Sequence, residues 1–506
     1  MADLDNPVVA TRSGVVRGVW RAAGSGRSAA FLGMPYAQAP VGDLRFAAPE
    51  PPKPWPGIRD ARHYGPTAQR APLSPVTTIP EPSTPGDEVL NLNVFTPAPG
   101  DGSAKLPVLV WIHGGGYVAG CQNSPWYDGA AFNRDGVVTV SLGYRLGIDA
   151  WLHLAGAPDN RGALDWLAGL SWVQNNIAQF GGDPWRVTVA GQSAGGGAVL
   201  TLLGMPSASR LFVRAASFSG AVGSVQSMAD AQQLAERFTS ITGIPATAEA
   251  ASGLTEQQTQ QVTLALSDGG VGIPKVRLAP VADGSLIPHP ASDAVGRGAG
   301  SSVPLLLGFT RHEFNGAARE LDPHLPAPLA MEILKELGMR PDVAAEVAAS
   351  GSPPVHELIA QALTDATFRR LGLDVAEGRA RFAAGMPVSA EVTVAPTWLY
   401  EFAWRSKAVE NRGLAFHCLD LPFWWDCLGA EQVEAATGPR PPQHLADAMH
   451  AALVRWVSGD GPGWPAYDVA TRPVRLWDEE PSLAQDHLRT VRELWGQPDR
   501  AAPATG

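Results

Sequence analysis

The stretch that decides the fold is Arg186-Val187-Thr188-Val189-Ala190 followed by Gly191-Gln192-Ser193-Ala194-Gly195. An apolar strand runs into a serine flanked by glycines, and residues 194–203 are compatible with a helix. This strand–turn–helix context is what a G-x-S-x-G nucleophile turn requires, and the glycines let neighbouring elements approach without a Cβ clash. The pattern predicts that Ser193 lies in a strained turn at a helix N-terminus, where developing negative charge is favoured. A chance serine in a glycine-rich turn is the alternative.

The second motif, His113-Gly114-Gly115-Gly116-Tyr117, follows the apolar strand Leu106–Ile112. Because glycines leave the backbone N–H groups uncovered, we expect two N–H groups of this loop, together with that of Ala194, to bind the oxyanion of a tetrahedral intermediate. The glycine spacing also loosely fits a dinucleotide fingerprint, which needs an acidic residue at the end of the next strand. Asp135 precedes the strand at 136–142 instead of following it, which disfavours the dinucleotide interpretation.

A serine nucleophile also needs a base and an acid that orients the base. Eight histidines follow Ser193, and spacing alone does not select one of them. In α/β-hydrolases the chain order is serine, then acid, then histidine. The residues alone therefore leave the choice of base open.

Around these motifs, apolar strands alternate with helical patterns. Strands are predicted at 136–142, 303–307 and 392–402, and helices at 164–180 and 445–457. This alternation predicts an α/β fold with a large, mostly parallel central sheet covered by helices on both faces. The first hundred residues suggest short β-segments, beginning with a hairpin over 8–20. We expect one catalytic domain over 1–506, with helical insertions at approximately 225–295 and 320–390.

Composition narrows the classes of function. The 506 residues are 45% apolar, which is enough for a large core and excludes a disordered chain. A net charge of −11 argues against nucleic acid or an anionic membrane as a partner. No apolar run is long enough for a transmembrane helix. Three cysteines and no visible signal peptide lead us to expect a cytoplasmic protein, while the oligomeric state is left open.

Ordered blocks along nearly the whole chain resemble the type-B carboxylesterases, the family that includes cholinesterases and bacterial p-nitrobenzyl esterases. The blocks are FLGMPYA (31–37), LRF (44–46), DEVLNLNV (87–94), the HGGG loop, YRLG (144–147), NRGALD (160–165), NNI (175–177), FGGDP (180–184), the serine turn, PVADG (280–284), GFTRHE (308–313), AFH (415–417) and WPAY (464–467). So many blocks in one order make a chance match negligible.

The resemblance implies an α/β-hydrolase fold with a small N-terminal antiparallel sheet and helical insertions over the active site. By position it implies that Ser193 is the nucleophile, Glu313 the acid and His417 the base. It likewise implies that Gly115, Gly116 and Ala194 are the oxyanion donors. The implied activity is serine carboxylesterase hydrolysis of small-molecule esters through an acyl-enzyme, with no cofactor or metal. A carbamate or amide hydrolase would use the same triad. A non-catalytic binding module is disfavoured because all three residues are present.

Some positions depart from the family pattern. Gln192 stands where glutamate is usual, which predicts weaker attraction for cationic substrates, and Val89 replaces an early cysteine. The resemblance also implies structural ion pairs Arg145–Asp165 and Arg45–Asp87. Residues that flank the catalytic blocks are candidates for the substrate pocket, with core packing as the alternative. These candidates are Tyr117, Trp126, Gln192, Phe423, Trp424 and Trp425.

Overall fold

The computed structural model describes residues 6–23, 26–68, 77–220, 222–267, 277–349, 354–385 and 394–495. Its strands, numbered in chain order, are β1 Val8–Thr11, β2 Gly14–Arg17, β3 Val19–Ala23, β4 Gly26–Pro35, β5 Ile58–Asp60, β6 Asn91–Thr96, β7 Leu106–Ile112, β8 Val138–Leu142, β9 Gly182–Gln192, β10 Arg214–Phe218, β11 Gln226–Ser227, β12 Val281–Ala282, β13 Leu305–Thr310, β14 Thr397–Phe402, β15 Pro473–Trp477 and β16 Ser482–Gln485.

One large sheet organises the molecule. Within the described residues it has eleven strands, in the order β16-β15-β14-β13-β10-β9-β7-β8-β6-β4-β3. The pairs from β8 to β15 are parallel, whereas β3, β4, β6 and β16 pair antiparallel at the two ends. The predicted, mostly parallel central sheet is therefore confirmed. The small N-terminal sheet contains the predicted hairpin β1–β2, but β5 adds to it in parallel, so this sheet is mixed.

Helices pack around this sheet. The α-helices are α1 Ala130–Arg134, α2 Gly147–Trp151, α3 Arg161–Asn176, α4 Ala194–Gly204, α5 Met228–Thr242, α6 Ala248–Ser252, α7 Glu256–Ser267, α8 Ala291–Gly296, α9 Ala327–Glu336, α10 Pro341–Ala349, α11 Val355–Thr364, α12 Arg370–Gly385, α13 Leu421–Trp424, α14 Val433–Thr437, α15 Gln443–Ser458 and α16 Arg489–Trp495. A π-helical turn, Asp365–Arg369, joins α11 to α12. In the portion of the chain that the structure describes, no helix combines the length and apolar character needed to cross a bilayer.

Three core strands begin later than the sequence predicts. The strand expected at 136–142 is β8, which begins at Val138. The strand expected at 303–307 is β13, and the one expected at 392–402 is β14, while residues 392–393 lie outside the described residues. Pro304 and Pro396 stand directly before β13 and β14. Because proline has no N–H to donate to a ladder, both strands begin after it, and β13 extends towards Glu313.

The parallel strands bring the two motifs to one edge of the sheet. Ile112, the last residue of β7, is in register with Gly191 near the end of β9. The carboxyl ends of parallel strands meet at the same edge, where α/β folds bind their ligands. The HGGG loop, the Ser193 turn and the segment after β13 therefore all leave the sheet at this edge.

One of the two expected ion pairs is confirmed. Arg145 Nη2 lies 2.7 Å from Asp165 Oδ1, and both side chains are buried. The second expectation is wrong, because Arg45 pairs with Asp149 at 3.0 Å instead of with Asp87. The other Arg45 nitrogens donate to the end of α6 and to Thr259, which directs the guanidinium towards the helices.

Candidate active site

The turn between β9 and α4 has the strain that the motif predicts. Ser193 has a φ of 56° and a ψ of −122°, which only glycine adopts easily. A Cβ on Gly195 would lie 2.0 Å from the Ile112 carbonyl oxygen, and one on Gly191 would lie 2.4 Å from the Gly195 oxygen. Because Gly191 and Gly195 lack a side chain, β9, the turn and α4 can pack this closely together.

The loop after β7 places bare backbone beside this turn. Gly115 and Gly116 both have positive φ, and a Cβ on Gly115 would lie 2.1 Å from the Ala119 oxygen. The Tyr144 hydroxyl donates to the His113 oxygen at 3.0 Å, and His113 Nδ1 lies 2.8 Å from the Gly114 oxygen. Burial lowers the pKa of His113 to about 4, so the ring is neutral at pH 7 and Nδ1–H donates within the loop.

Glu313 and His417 come together although 104 residues separate them. His417 Nδ1 lies 2.5 Å from Glu313 Oε2, and the Thr310 N–H donates to Glu313 Oε1 at 2.8 Å. The two loops are also joined through their backbones, because the His417 N–H donates to the Glu313 oxygen at 3.0 Å. The carboxylate is fully buried, so its contact with the ring is shielded from water.

The surroundings of His417 control its charge and its position. Burial disfavours the imidazolium, but Cys418 and the Glu313 carboxylate outweigh burial and raise the pKa of His417 well above its ordinary value. Two aromatic rings contact the imidazole, with centroid distances of 4.8 Å for Phe368 and 5.2 Å for Phe314. The ring is therefore held from the sides as well as by the carboxylate.

The second nitrogen of His417 faces the serine turn. Gln192 Nε2 lies 3.2 Å from His417 Nε2, and Gln192 is the residue directly before Ser193. Among the described residues, no hydrogen bond is recorded between the Ser193 hydroxyl and this nitrogen. Such bonds are often long in unliganded enzymes and tighten when substrate binds.

A cavity of about 470 Å³ opens over these groups. One side, which we call the sheet wall, consists of Gly114, Gly115, Gly116, Gln192, Ser193 and Ala194. Another part of the lining, which we call the helical wall, includes Ser267, Leu278, Thr367 and Phe368. His417 also lines the cavity, so the structure brings the predicted nucleophile, base and oxyanion-binding residues to one space.

Of the six predicted pocket residues, Gln192 lines this cavity, whereas the structure places the other five in the hydrophobic core. These five are Tyr117, Trp126, Phe423, Trp424 and Trp425. Packing partners explain their burial: the Trp126 indole N–H donates to the Glu431 oxygen at 2.8 Å, and the Trp425 ring meets that of Trp111 edge-on at 5.3 Å.

Besides His417, the aromatic residues that line the cavity are Tyr127, Phe314, Phe368 and Phe416, all four of which sequence reasoning missed. Two of them had a signal, because Phe314 directly follows Glu313 and Phe416 directly precedes His417. Phe368 had none, because its position depends on the π-helical turn and on distant contacts.

The match to the Carboxylesterase family covers residues 5–462. This chain belongs to the carboxylesterase family. The para-nitrobenzyl esterase of Bacillus subtilis (strain 168) is 33% identical to it over 483 residues, or 90% of this chain and 92% of that protein. A medium-chain fatty acyl-CoA hydrolase precursor from Anas platyrhynchos is 33% identical over 400 residues, or 76% of this chain and 69% of that protein.

Solved structures of carboxylesterases have the same fold. A PNB esterase structure superimposes with a TM-score of 0.83 at 29% identity, covering 97% of this chain and 100% of the other. The Geobacillus stearothermophilus carboxylesterase gives a TM-score of 0.81 at 31% identity, with the same coverage. The enzyme therefore has an α/β-hydrolase fold, and it is a carboxylic ester hydrolase of the serine type.

Proposed function

We propose that Ser193, His417 and Glu313 form the catalytic triad with which this carboxylesterase hydrolyses small-molecule esters. The observation that carries the proposal is the 2.5 Å contact between Glu313 Oε2 and His417 Nδ1, made at the edge of the cavity that Ser193 lines. This contact fixes the tautomer of the neutral base with the proton on Nδ1, so Nε2 carries the lone pair that accepts the serine proton.

In the acylation step, His417 Nε2 takes the Ser193 proton as the hydroxyl oxygen attacks the ester carbonyl. The N–H groups of Gly115, Gly116 and Ala194 donate to the oxygen that becomes negative. Ala194 is the first residue of α4, so its N–H is among those without a partner inside the helix. Glu313 stabilises the imidazolium, and the tetrahedral intermediate collapses when His417 protonates the leaving alcohol.

In the deacylation step, water takes the place of the alcohol. His417 removes a proton from this water, which attacks the acyl carbonyl, and the same N–H groups bind the second oxyanion. Collapse returns the proton to Ser193 and releases the carboxylic acid. The cycle consumes one water and needs no further reactant.

The helical wall is the part of the cavity that we propose to select the substrate. Ser267 and Leu278 belong to the first predicted insertion, and Thr367 and Phe368 to the second. This supports one catalytic domain whose helical insertions cover the site. We also propose a cytoplasmic location, which three free cysteines in the described residues favour, because thiols persist in reducing compartments.

A panel of matched esters, carbamates and anilides tests the proposed function. We expect kcat/KM to be highest for esters, with acyl groups small enough to enter the cavity, and to be lost for every ester in Ser193→Ala. Faster hydrolysis of carbamates or anilides than of the matched esters would assign the triad to a different bond. Ester turnover that survives in Ser193→Ala would contradict the triad itself.

A further inference from the structure

Resting on the proposed function, we propose that Gln192 is a positioning residue that hydrogen-bonds the reactive nitrogen of His417 and opposes protonation of that nitrogen. The observation is the 3.2 Å contact between Gln192 Nε2 and His417 Nε2. Because His417 Nδ1 faces Glu313, Nε2 is the nitrogen that accepts the Ser193 proton. Gln192 therefore binds the atom on which the reaction depends.

The side chain of Gln192 is held in place by its surroundings. It is only 1% exposed, and it lies at the end of β9, paired in register with Phe218. A Cβ on Gly114 would lie 3.0 Å from Gln192 Oε1 and 2.8 Å from the Gln192 backbone oxygen. The carboxamide is therefore packed between the HGGG loop and the imidazole.

An amide suits both charge states of the base, and a carboxylate suits only one. In the neutral form of the base, His417 Nε2 has a lone pair, so it accepts a hydrogen bond from the Gln192 NH₂ group. After proton transfer Nε2 carries a hydrogen, which the NH₂ group cannot accept. Rotation of the amide then presents Oε1 to the imidazolium. A glutamate would offer no donor to the neutral base and would favour the charged one.

Other titratable groups also face His417. Glu313 contacts Nδ1, Cys418 is adjacent in the chain, and the buried Asp420 lies near enough to interact with the imidazolium. Glu81 and Arg277 line the same cavity. A substitution at position 192 leaves all of these groups in the chain. We therefore assign any change in the titration of His417 in such a variant to position 192.

The test is the pH profile of kcat/KM, whose acid limb reports the pKa of the base in the free enzyme. In Gln192→Glu we expect the limb to move up by at least about 1 pH unit, because a carboxylate at this distance stabilises the imidazolium. In Gln192→Met, which keeps the length without the donor, we expect a rise of about 0.5 unit. Gln232→Glu adds the same charge on the exposed surface of α5 and should leave the profile unchanged.

A second measurement does not depend on turnover. The proton NMR resonance of the Nδ1–H between His417 and Glu313 should titrate at a correspondingly higher pH in both Gln192 variants. Profiles and resonances that superimpose on those of the wild type would overturn the proposal, whatever the plateau rates are. If the Gln192 variants behave like the wild type but Ser193→Ala is inactive, only the role of Gln192 is refuted and the proposed triad stands. If Ser193→Ala is active, both the triad and the role of Gln192 are refuted.

Discussion

The two walls of the cavity are built from different parts of the chain. The sheet wall is largely backbone, from the short loop after β7 and the turn between β9 and α4, and a Cβ on Gly114 or Gly115 would collide with backbone atoms there. The helical wall consists of side chains from helices and loops that lie far apart in the sequence. Its Phe368 lies in the π-helical turn, where Arg369 pairs with Asp365 at 2.6 Å and with Glu401 of β14 at 3.0 Å.

The difference in construction separates two roles, with catalysis assigned to the sheet wall and substrate selectivity to the helical wall. Backbone N–H groups and a strained serine act on any ester carbonyl, so the sheet wall fixes the reaction. Side chains differ in size and shape, so the helical wall controls which ester enters. Substitutions in the sheet wall should therefore affect all substrates alike, and those in the helical wall should affect some substrates more than others.

The largest expected effect is on the sheet wall, in Ser193→Ala. Loss of the nucleophile should lower kcat by about 10⁴-fold or more, because attack on the carbonyl then falls to water. Steady-state kinetics with a short and a long ester should give the same factor. Ser171→Ala is a control, since that hydroxyl donates to the Leu167 oxygen within α3. A loss of kcat that depended strongly on the length of the ester's acyl chain would contradict the separate roles of the two walls.

The next effect concerns the base that stands between the walls. Glu313→Gln should lower kcat by about 10³- to 10⁴-fold, because the imidazolium loses its stabilising carboxylate. This carboxylate raises the pKa of His417, so its removal should move the acid limb of kcat/KM to lower pH. Glu313→Asp, which keeps a carboxylate, should restore part of kcat and part of the shift in the acid limb. An acid limb that stayed in place in Glu313→Gln would assign the limb to another group.

A pair of glycine variants tests whether backbone packing builds the sheet wall. Gly195→Ala should destabilise the fold by at least about 3 kcal/mol, because its Cβ would lie 2.0 Å from the Ile112 oxygen. Gly136→Ala should cost about 1–2 kcal/mol, because that glycine has a φ of 77° but no atom within 4 Å. Denaturant unfolding measures both. Because Gly195 has an ordinary helical φ, equal losses would show that close approach to the Ile112 oxygen is not what requires glycine there.

The smallest effect is expected on the helical wall. Phe368→Ala should lower kcat/KM for a short ester by about 3- to 10-fold, because the ring contact with His417 is lost. The enlarged cavity should reduce this loss for longer acyl groups. Phe368→Leu is the matched control, since it restores most of the volume. An equal loss across all chain lengths would place Phe368 with the chemistry and not with selectivity.

Sequence reasoning succeeded where constraints are local. The strand β7 was predicted with its observed bounds, and the glycines around Ser193 are required for the reason that the motif gives. The sequence-based predictions are wrong where contacts between distant segments decide whether a side chain lines the cavity or lies in the core. Trp424 and Trp425 follow His417 closely in the chain, yet they are buried in the core. Phe368 lines the cavity from a π-helical turn whose Arg369 pairs with Glu401 of the distant strand β14.

Covalent labelling tests the central claim most directly. An organophosphonate imitates the tetrahedral intermediate and should form one adduct per chain, located by peptide mass spectrometry on Ser193, with activity lost in proportion. Labelling should be absent in Ser193→Ala and slowed in Glu313→Gln, because the serine is activated through His417. A stoichiometric adduct on another residue, or full ester turnover after Ser193 is labelled, would contradict the account.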